Sequence, residues 1–297
     1  YAAPSIAELK GIPYVSAVYA PVALPSPDHA PPPAPGTVWE PGPPDDGARL
    51  WREHARVWNE RSLERINVNR SQRGLEPIDD VYAHVLGKRP WLAADPYLAP
   101  MPSTPGLQVT QTGDWVLEDT SPLDPQLTAF LDEGEPPIYA GFGSMPAQPE
   151  IVGAVLDGAR SAGRRIVLGR GWANFDPMAG VPDCLEIEAV NHRRLFGRVA
   201  AVVHHGGAGT TAAAMRAGVP QVVVPMFSDQ FYWAERVRRL GTGAGVPAKQ
   251  ATADAIAVAI RDVLEPVVLD QAQIVAGHVV SDGAKVAAGL LVAEVAG

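Results

Sequence analysis

Two things are scarce in this sequence, and each scarcity excludes a class of protein. The 297 residues include a single cysteine, Cys184, so no disulfide can form within the chain. One unpaired thiol suits a reducing compartment and predicts a cytoplasmic location. No apolar run approaches the roughly 18 residues of a membrane helix, and the start of the chain lacks the pattern of a signal peptide. We therefore expect no membrane partner.

Positive charge is also in deficit. The chain has 24 Lys and Arg against 33 Asp and Glu, for a net charge of -9. Because nucleic-acid affinity rests on clustered basic residues, this balance predicts no nucleic-acid partner. Apolar residues, in contrast, make up 46% of the chain, which suffices for a buried core in more than one globular unit.

The first part of the chain mixes helices, short strands and a proline-rich loop. The stretch "PSIAELKG" predicts a helix closed by Gly11, and residues 12–19 predict a buried strand. The prolines of residues 21–46 exclude both helix and sheet, and residues 48–73 predict a long amphipathic helix. Two short strands are expected in "RPWLAAD" and "GLQVTQTGDW". Because the chain begins at Tyr1, inside a helical pattern, we expect that residues upstream are missing.

From residue 121 onward, short apolar runs alternate with helical patterns. Strands are predicted in "IYAGFGS", "RRIVLGRGW", "CLEIEAV", "VAAVVHH" and "PQVVVPM", with helices between most of them and in the residues after 252. This alternation is typical of a parallel sheet covered on both faces, which is a doubly wound α/β domain. We expect one domain over residues 1–120 and a second over 121–297, with the last helix packing back on the first domain.

The most informative segment is "VVHHGGAGTTAAAMRAG", residues 202–218. His204 and His205 end a predicted strand, and in an open parallel sheet the ligand crevice lies beyond the carboxyl ends of the strands. The glycines that follow bring backbone N–H groups close to a ligand, and the next helix offers the positive end of its dipole. A diphosphate is therefore the expected ligand, and Thr210 or Thr211 can add a hydroxyl that donates a hydrogen bond to it.

The two histidines are expected to have different roles. Neighbouring residues on a strand point to opposite faces, so the pair cannot readily coordinate one metal ion. No other spacing of His, Cys or Asp suggests zinc, and we expect no metal site. His204 is predicted to be structural and His205 to reach the ligand.

The same glycines support a different class of enzyme. Residues 207–212 satisfy the pattern G-x-G-x-x-A, and Asp229 lies about 20 residues further on, as in dinucleotide-binding proteins. An NAD-dependent oxidoreductase is thus an open alternative. Two details weaken it: Asp229 follows Pro225 instead of standing at a strand tip, and paired histidines have no role in that fold.

Several further motifs surround this segment in a fixed order. They are "GFGS" at 141–144, "GRRIVLGRGW" at 163–172, "VNHRRLFGRVAAVVHHGGAGTT" at 190–211, "RAGVPQVVVP" at 216–225, and then Asp229 with Gln230. Together they resemble the family 1 glycosyltransferases of GT-B fold, in the bacterial branch that glycosylates vancomycin- and teicoplanin-type glycopeptide antibiotics. The upstream stretches "IPYVSAVYAPVALPSP" and "RPWLAADPYLAP" are similar to the same branch, so the resemblance covers nearly the whole chain.

The resemblance implies two Rossmann-like doubly wound domains, here with the N-terminal one incomplete at its start. It implies an inverting, metal-independent hexosyltransferase that needs no cofactor and moves a sugar from a dTDP- or UDP-sugar to a glycopeptide hydroxyl. The implied residues that bind the sugar donor are Ser144, Trp172, Val190, His205, Gly206, Gly207, Ala208, Gly209, Thr210, Asp229 and Gln230.

These residues divide by the part of the nucleotide sugar that each would contact. His205, residues 206–210 and Ser144 would bind the diphosphate. Asp229 and Gln230 would bind sugar hydroxyls. Val190 would hold the base edge through main-chain groups, and Ala189 stands where relatives carry a stacking aromatic, so dTDP and UDP both stay open. Trp172 would lie near the nucleotide, with a packed core position as an equal alternative.

The family's general base, a His or Asp in an early loop of the N-terminal domain, has no match in residues 1–297. Asp28 and His29 are the nearest acid and imidazole in the loop expected to face the acceptor, which is residues 21–44. A GT-B fragment that binds the sugar donor without catalysis is therefore a further alternative.

Overall fold

The computed structural model describes residues 1–33, 46–143, 149–171 and 183–296. These fall into two compact units. The first comprises the described residues of 1–116 together with 280–296, and the second comprises those of 117–279. Each unit is described by itself below.

The first unit has a small parallel sheet and three helices before the second unit begins. Its elements are α1 (Ala3–Lys10), β1 (Ala17–Val18), a 3-10 helix (Pro21–Ala23), α2 (Gly47–Ser71), α3 (Val81–Leu86), β2 (Trp91–Leu92) and β3 (Thr110–Gln111). The sheet order is β1-β2-β3, with both pairs parallel. The predicted helix that ends at Gly11 is confirmed, since Gly11 is left-handed with φ 63°. The long helix and the two later strands are confirmed as α2, β2 and β3.

The buried strand predicted for residues 12–19 is wrong in length and in burial. Pairing is limited to the two residues of β1, and Ile12 and Tyr19 are 58% and 52% exposed. Pro13 has no N–H to offer a sheet ladder, and Tyr14 instead donates its hydroxyl to the carbonyl of Val85 at 2.7 Å. Only two residues of the predicted strand therefore pair in the sheet, and Tyr14 is held by its side chain instead.

The second unit is the doubly wound domain that the alternating pattern predicts. Its elements are α4 (Pro125–Asp132), β4 (Ile138–Gly141), α5 (Pro149–Ser161), β5 (Ile166–Gly169), β6 (Cys184–Ile187), α6 (His192–Phe196), β7 (Ala201–His204), α7 (Ala208–Ala217), β8 (Gln221–Val223), α8 (Gln230–Arg239), β9 (Gly243–Gly245), a 3-10 helix (Ala248–Gln250), α9 (Ala253–Val263) and α10 (Pro266–Ala276). The chain then returns to the first unit with α11 (Gly283–Ala296). No helix in the described parts of the chain is both long and apolar enough to cross a membrane.

The six-stranded sheet has the order β6-β5-β4-β7-β8-β9, and every neighbouring pair is parallel. One face is covered by α5 and α9. Ile138, Leu168 and Val203 of the sheet contribute to the core between this face and the two helices. The other face packs Val167 and Val202 against α4 and α6. Strand order reverses between β4 and β7, whose ends are in register at Gly141 and His204. A crevice for a ligand is expected at this reversal.

The strand β9 was not predicted, because its residues are Gly243, Ala244 and Gly245, which have low β propensity. It forms at the sheet edge beside β8, where there is no room for a side chain. A Cβ on Gly243 would lie 1.9 Å from the carbonyl oxygen of Gln221. Close approach of two backbones, which only glycine allows, thus replaces propensity as the reason for the strand.

Candidate functional site

The glycine turn, residues 206–209, joins β7 to α7 at the reversal of strand order. Gly207 is the N-cap of α7 and has no side chain that could accept from the first turn of the helix. The N–H groups of Ala208, Gly209 and Thr210 consequently have no acceptor within the helix. With the positive end of a ten-residue helix behind them, these groups form a site suited to an anion.

Gly206 shapes the turn instead of facing outward. Its φ is +91°, and a Cβ there would lie 2.8 Å from Val223 Cγ1 and 3.0 Å from the carbonyl oxygen of Gln230. Its N–H donates to Nδ1 of His204 at 3.1 Å. The N–H groups left for a ligand are therefore those that follow Gly206 in the turn.

The structural role predicted for His204 is confirmed. The residue is fully buried, and its Nε2 atom lies 2.9 Å from Oε1 of Gln221. Burial lowers the pKa of His204 to about 3, so the imidazole is neutral at neutral pH. Gln221 was not predicted. A polar residue at the start of the apolar run "QVVVP" nevertheless indicated a buried polar side chain, and such a side chain needs a hydrogen-bond partner.

His205 is the first residue after β7 and lies against Gly143 in the loop that follows β4. Its Cε1 atom is 3.4 Å from where a Cβ on Gly143 would lie, and its Nε2 atom is 2.7 Å from where a Cβ on Gly207 would lie. Its Nδ1 atom is buried and has no hydrogen-bond partner among the described residues. Burial lowers the pKa of His205, which leaves a neutral ring with one hydrogen-bond donor and one acceptor.

The threonines of α7 are distinguished by the structure. Thr211 is fully buried and donates its hydroxyl to the carbonyl of Gly207 at 2.9 Å. Thr210 is half-buried at the first turn of the helix. Of the two, Thr210 is thus the one whose hydroxyl suits a ligand at the glycine turn.

The first residue of α8, Gln230, lies against Gly206 of the glycine turn, and Asp229 directly precedes it. Asp229 is the N-cap residue of α8, and its Oδ2 atom accepts from Nε1 of Trp233 at 3.2 Å. Burial raises the pKa of Asp229. Trp233 was missed by sequence reasoning, although its position four residues after Asp229 places both on one helix face.

The side-chain oxygen of Gln230 is engaged by the loop that precedes α8. Its Oε1 atom accepts from the backbone N–H groups of Met226 and Phe227 at 2.7 and 3.2 Å. Ser228, between these residues and Asp229, has φ 58°, a left-handed conformation that is strained for a residue with a side chain. The amide NH₂ of Gln230 is the group that this arrangement leaves for a ligand.

Val190 follows the carboxyl end of β6, the edge strand of the sheet. It lines a cavity of about 660 Å³ together with Leu123, Glu186 and Ile187. The next residue, Asn191, is buried and donates its amide to the carbonyls of Asp119 and Ser121, which fixes this segment. Ser144 and Trp172 lie outside the described residues, so their predicted roles stay predictions.

In the first unit, Asp28 and His29 both have structural partners. Asp28 accepts from the backbone N–H of Ser103 at 2.7 Å, and Nδ1 of His29 lies 3.0 Å from the carbonyl of Ala30. Burial lowers the pKa of His29. The Nε2 atom of His29 is buried and has no hydrogen-bond partner among the described residues, so only its Nδ1 atom is engaged.

The fold disfavours the dinucleotide interpretation. In dinucleotide-binding domains the glycine fingerprint follows the first strand of the sheet, whereas here it follows β7, the fourth strand of the sheet in chain order. Asp229 lies past the end of β8 at Val223, as the N-cap of a helix. Within the described ranges, no group of three or more His, Cys, Asp or Glu residues is placed to hold a metal ion.

Comparison with known proteins identifies the family. Residues 154–287 match the family "Erythromycin biosynthesis protein CIII-like, C-terminal domain". The chain is 44% identical over 289 residues to the vancomycin aglycone glucosyltransferase of Amycolatopsis orientalis, which covers 97% of this chain and 70% of that protein. It is 39% identical over 269 residues to the dTDP-epi-vancosaminyltransferase of the same organism, which covers 88% and 63%.

The fold agrees with this assignment. The structure of the glycotransferase of kitacinnamycin superposes with a TM-score of 0.71 at 17% identity, over 98% of this chain and 72% of that one. The GT-B fold expected from the motifs is thereby confirmed, and the similarity of sequence confirms sugar transfer as the activity. The chain belongs to the GT-B glycosyltransferases of antibiotic biosynthesis, in the branch that includes the vancomycin aglycone glucosyltransferase.

Proposed function

We propose that this glycosyltransferase takes its sugar from a dTDP- or UDP-sugar whose diphosphate binds at the glycine turn. The observation that carries the proposal is the uncapped N-terminus of α7 beside the neutral, partly unsatisfied imidazole of His205. Together they offer several N–H groups to an anion and no competing negative charge from the turn itself. The dTDP-sugar named in one relative supports the same class of sugar donor.

The acceptor in this proposal is a hydroxyl of a glycopeptide aglycone or of a sugar already attached to it. The name of the vancomycin aglycone glucosyltransferase supports this class of acceptor. Residues 21–44, of which 34–44 lie outside the described residues, are proposed to face it.

The reaction we propose is a single displacement at the anomeric carbon. The acceptor oxygen attacks as the bond to the diphosphate oxygen breaks, and a general base takes the acceptor's proton, so the anomeric configuration inverts. The leaving diphosphate gains charge in the transition state. The N–H groups of residues 207–210 and the ring of His205 are aimed at that charge, where stabilisation is most effective. This arrangement supports catalysis without a metal ion and with no cofactor.

Calorimetric titration with dTDP, UDP and NAD in the presence of EDTA tests the binding site. We expect dTDP or UDP to bind and NAD not to bind, and His205→Ala to weaken nucleotide binding at least tenfold, because a charge-assisted hydrogen bond contributes about 1.5–3 kcal/mol. An unchanged thermal midpoint is the control for folding. Binding of NAD alone would contradict the proposal, as would equal nucleotide affinity in His205→Ala.

Transfer itself is tested with the vancomycin aglycone and a panel of dTDP- and UDP-sugars. We expect a product heavier by one sugar, with the anomeric configuration opposite to that of the sugar donor, formed equally well with EDTA. Nucleotide binding without any transfer would favour the alternative of a chain that only binds the sugar donor. Loss of transfer in EDTA would contradict metal independence.

A further inference from the structure

His204 ends β7 directly before His205, the residue proposed to contact the diphosphate, and it is itself fully buried. It makes two side-chain hydrogen bonds of ordinary length. The N–H of Gly206 donates to Nδ1 at 3.1 Å, and Nε2 lies 2.9 Å from Oε1 of Gln221. The ring thus links the glycine turn to the neighbouring strand β8.

These partners select one tautomer. The backbone N–H of Gly206 can only donate, so Nδ1 must be the unprotonated nitrogen. The proton then lies on Nε2, which suits the carboxamide oxygen of Gln221, since that oxygen can only accept. Gln221 is itself fully buried. Two buried neighbours therefore hold the ring in the one protonation state that can accept from Gly206.

The Gly206 amide cannot be turned inward without a special backbone conformation. Its φ of +91° is one that residues with side chains rarely adopt, and Val223 and Gln230 leave no room for a Cβ. With this amide bonded to His204, the next N–H groups along the chain are the uncapped ones of residues 207–210. The direction of the turn and the inward hydrogen bond are therefore parts of one arrangement.

We infer that His204 is a positioning residue for sugar transfer: its Nδ1 atom holds the Gly206 amide and so aims the N-terminus of α7 at the diphosphate. The inference rests on the proposed binding of a nucleotide sugar at the glycine turn. His204 itself touches no ligand in this role.

The matched variants His204→Asn and His204→Gln test it. The Asn side-chain oxygen takes the place of Nδ1, whereas the Gln amide takes the place of Nε2, so each variant keeps one of the two hydrogen bonds. We expect His204→Asn to bind dTDP or UDP within about threefold of the unmodified chain and His204→Gln to bind at least tenfold more weakly. Similar thermal midpoints would show that a general loss of stability does not explain the difference.

Amide hydrogen exchange at Gly206 gives a second readout that is independent of ligand. We expect slow exchange in the unmodified chain and in His204→Asn, and fast exchange in His204→Gln. Equal nucleotide affinities in the two variants would overturn the inference. If the unmodified chain binds neither nucleotide, the proposed function fails instead, and the exchange rates alone decide whether His204 holds Gly206.

Gln221→Glu keeps the side-chain shape and serves if the first two variants do not fold. A carboxylate beside Nε2 favours the doubly protonated ring, whose Nδ1–H cannot accept from Gly206. The other titratable groups that act on His204 are the rings of His205 and His192, and both disfavour its protonation. We expect weaker nucleotide binding that recovers as pH rises, relative to the unmodified chain at each pH. Binding that is unaffected at every pH would contradict the inference.

Discussion

At the scale of single residues, the proposed sugar-binding end of the site depends on how the Asp229 carboxylate is held. Burial raises the pKa of Asp229, while the hydrogen bond from Nε1 of Trp233 at 3.2 Å opposes that shift. Trp233 is itself only 2% exposed, so its ring cannot move away easily. The indole N–H thus favours the charged form of the carboxylate against the effect of burial, and it orients the group.

Trp233→Phe removes this N–H, and because the ring is smaller it also leaves a cavity at a buried position. If Asp229 binds sugar hydroxyls as proposed, we expect the KM for the nucleotide sugar to rise about fivefold, equivalent to ~1 kcal/mol for one hydrogen bond. The affinity for free dTDP or UDP should stay unchanged, since the nucleotide does not contact Asp229 in the proposed arrangement. Steady-state kinetics and calorimetry measure the two quantities. Equal losses for nucleotide and nucleotide sugar would mean that Trp233 serves only packing.

At the scale of elements, the glycine turn contains glycines with different reasons for being there. Gly206 has φ +91° and no space for a Cβ, whereas Gly209 has an ordinary helical conformation and open space around it. Gly209 is moreover a poor residue for the first turn of a helix, where alanine is favoured by up to about 1 kcal/mol. Stability alone explains Gly206 but not Gly209.

Gly206→Ala and Gly209→Ala are therefore expected to behave in opposite ways. The first should lower the stability by about 2 kcal/mol or more, through a strained φ and overpacking against Val223. The second should leave the thermal midpoint equal or higher while weakening nucleotide binding, because a methyl group then stands where the diphosphate approaches. Thermal denaturation and titration separate the two effects. Unchanged nucleotide affinity in Gly209→Ala would show that the ligand lies elsewhere.

The elements themselves were predicted to different degrees. The alternation of apolar runs and helical patterns predicted β4–β8, α5–α8 and the three helices after residue 252, because period and length are local properties of the sequence. The helix α4 was not predicted, and neither were the helix α3 and the strand β9. Six residues are too few to show a helical period, and "GAG" carries no strand signal, so both depend on the neighbours against which they pack.

At the scale of the whole molecule, buried histidines make stability depend on pH. Burial lowers the pKa of six histidines, namely His29, His54, His84, His192, His204 and His205. The unfolded chain protonates them near pH 6.5, whereas the folded chain does so only at lower pH. Below about pH 6.5 the unfolded state therefore binds more protons, and stability falls as pH falls. Asp229, whose pKa is raised, acts in the opposite direction at lower pH.

We expect the thermal midpoint to drop steadily from about pH 7 to pH 5. His204 alone, with its pKa lowered to about 3, contributes up to ~1.4 kcal/mol per pH unit over this range. Thermal denaturation across this range measures the slope, and His204→Asn, which lacks the titrating ring, should show a shallower one. A midpoint that is constant over this range would contradict the assignment of these rings as buried and neutral.

The sequence by itself determined the parallel α/β architecture, the glycine turn at a strand end and the family, because each is written in the order and spacing of residues along the chain. It also predicted that His204 is structural, since neighbours on a strand point to opposite faces and the pair cannot share one role. Only the tertiary structure decided what those residues contact. The pairing of His204 with Gln221, the engagement of the Gly206 amide and the contact from Trp233 to Asp229 depend on which strands and helix faces become neighbours. Such contacts have no periodic signature, because they arise from packing between segments, and packing is set by the fold as a whole.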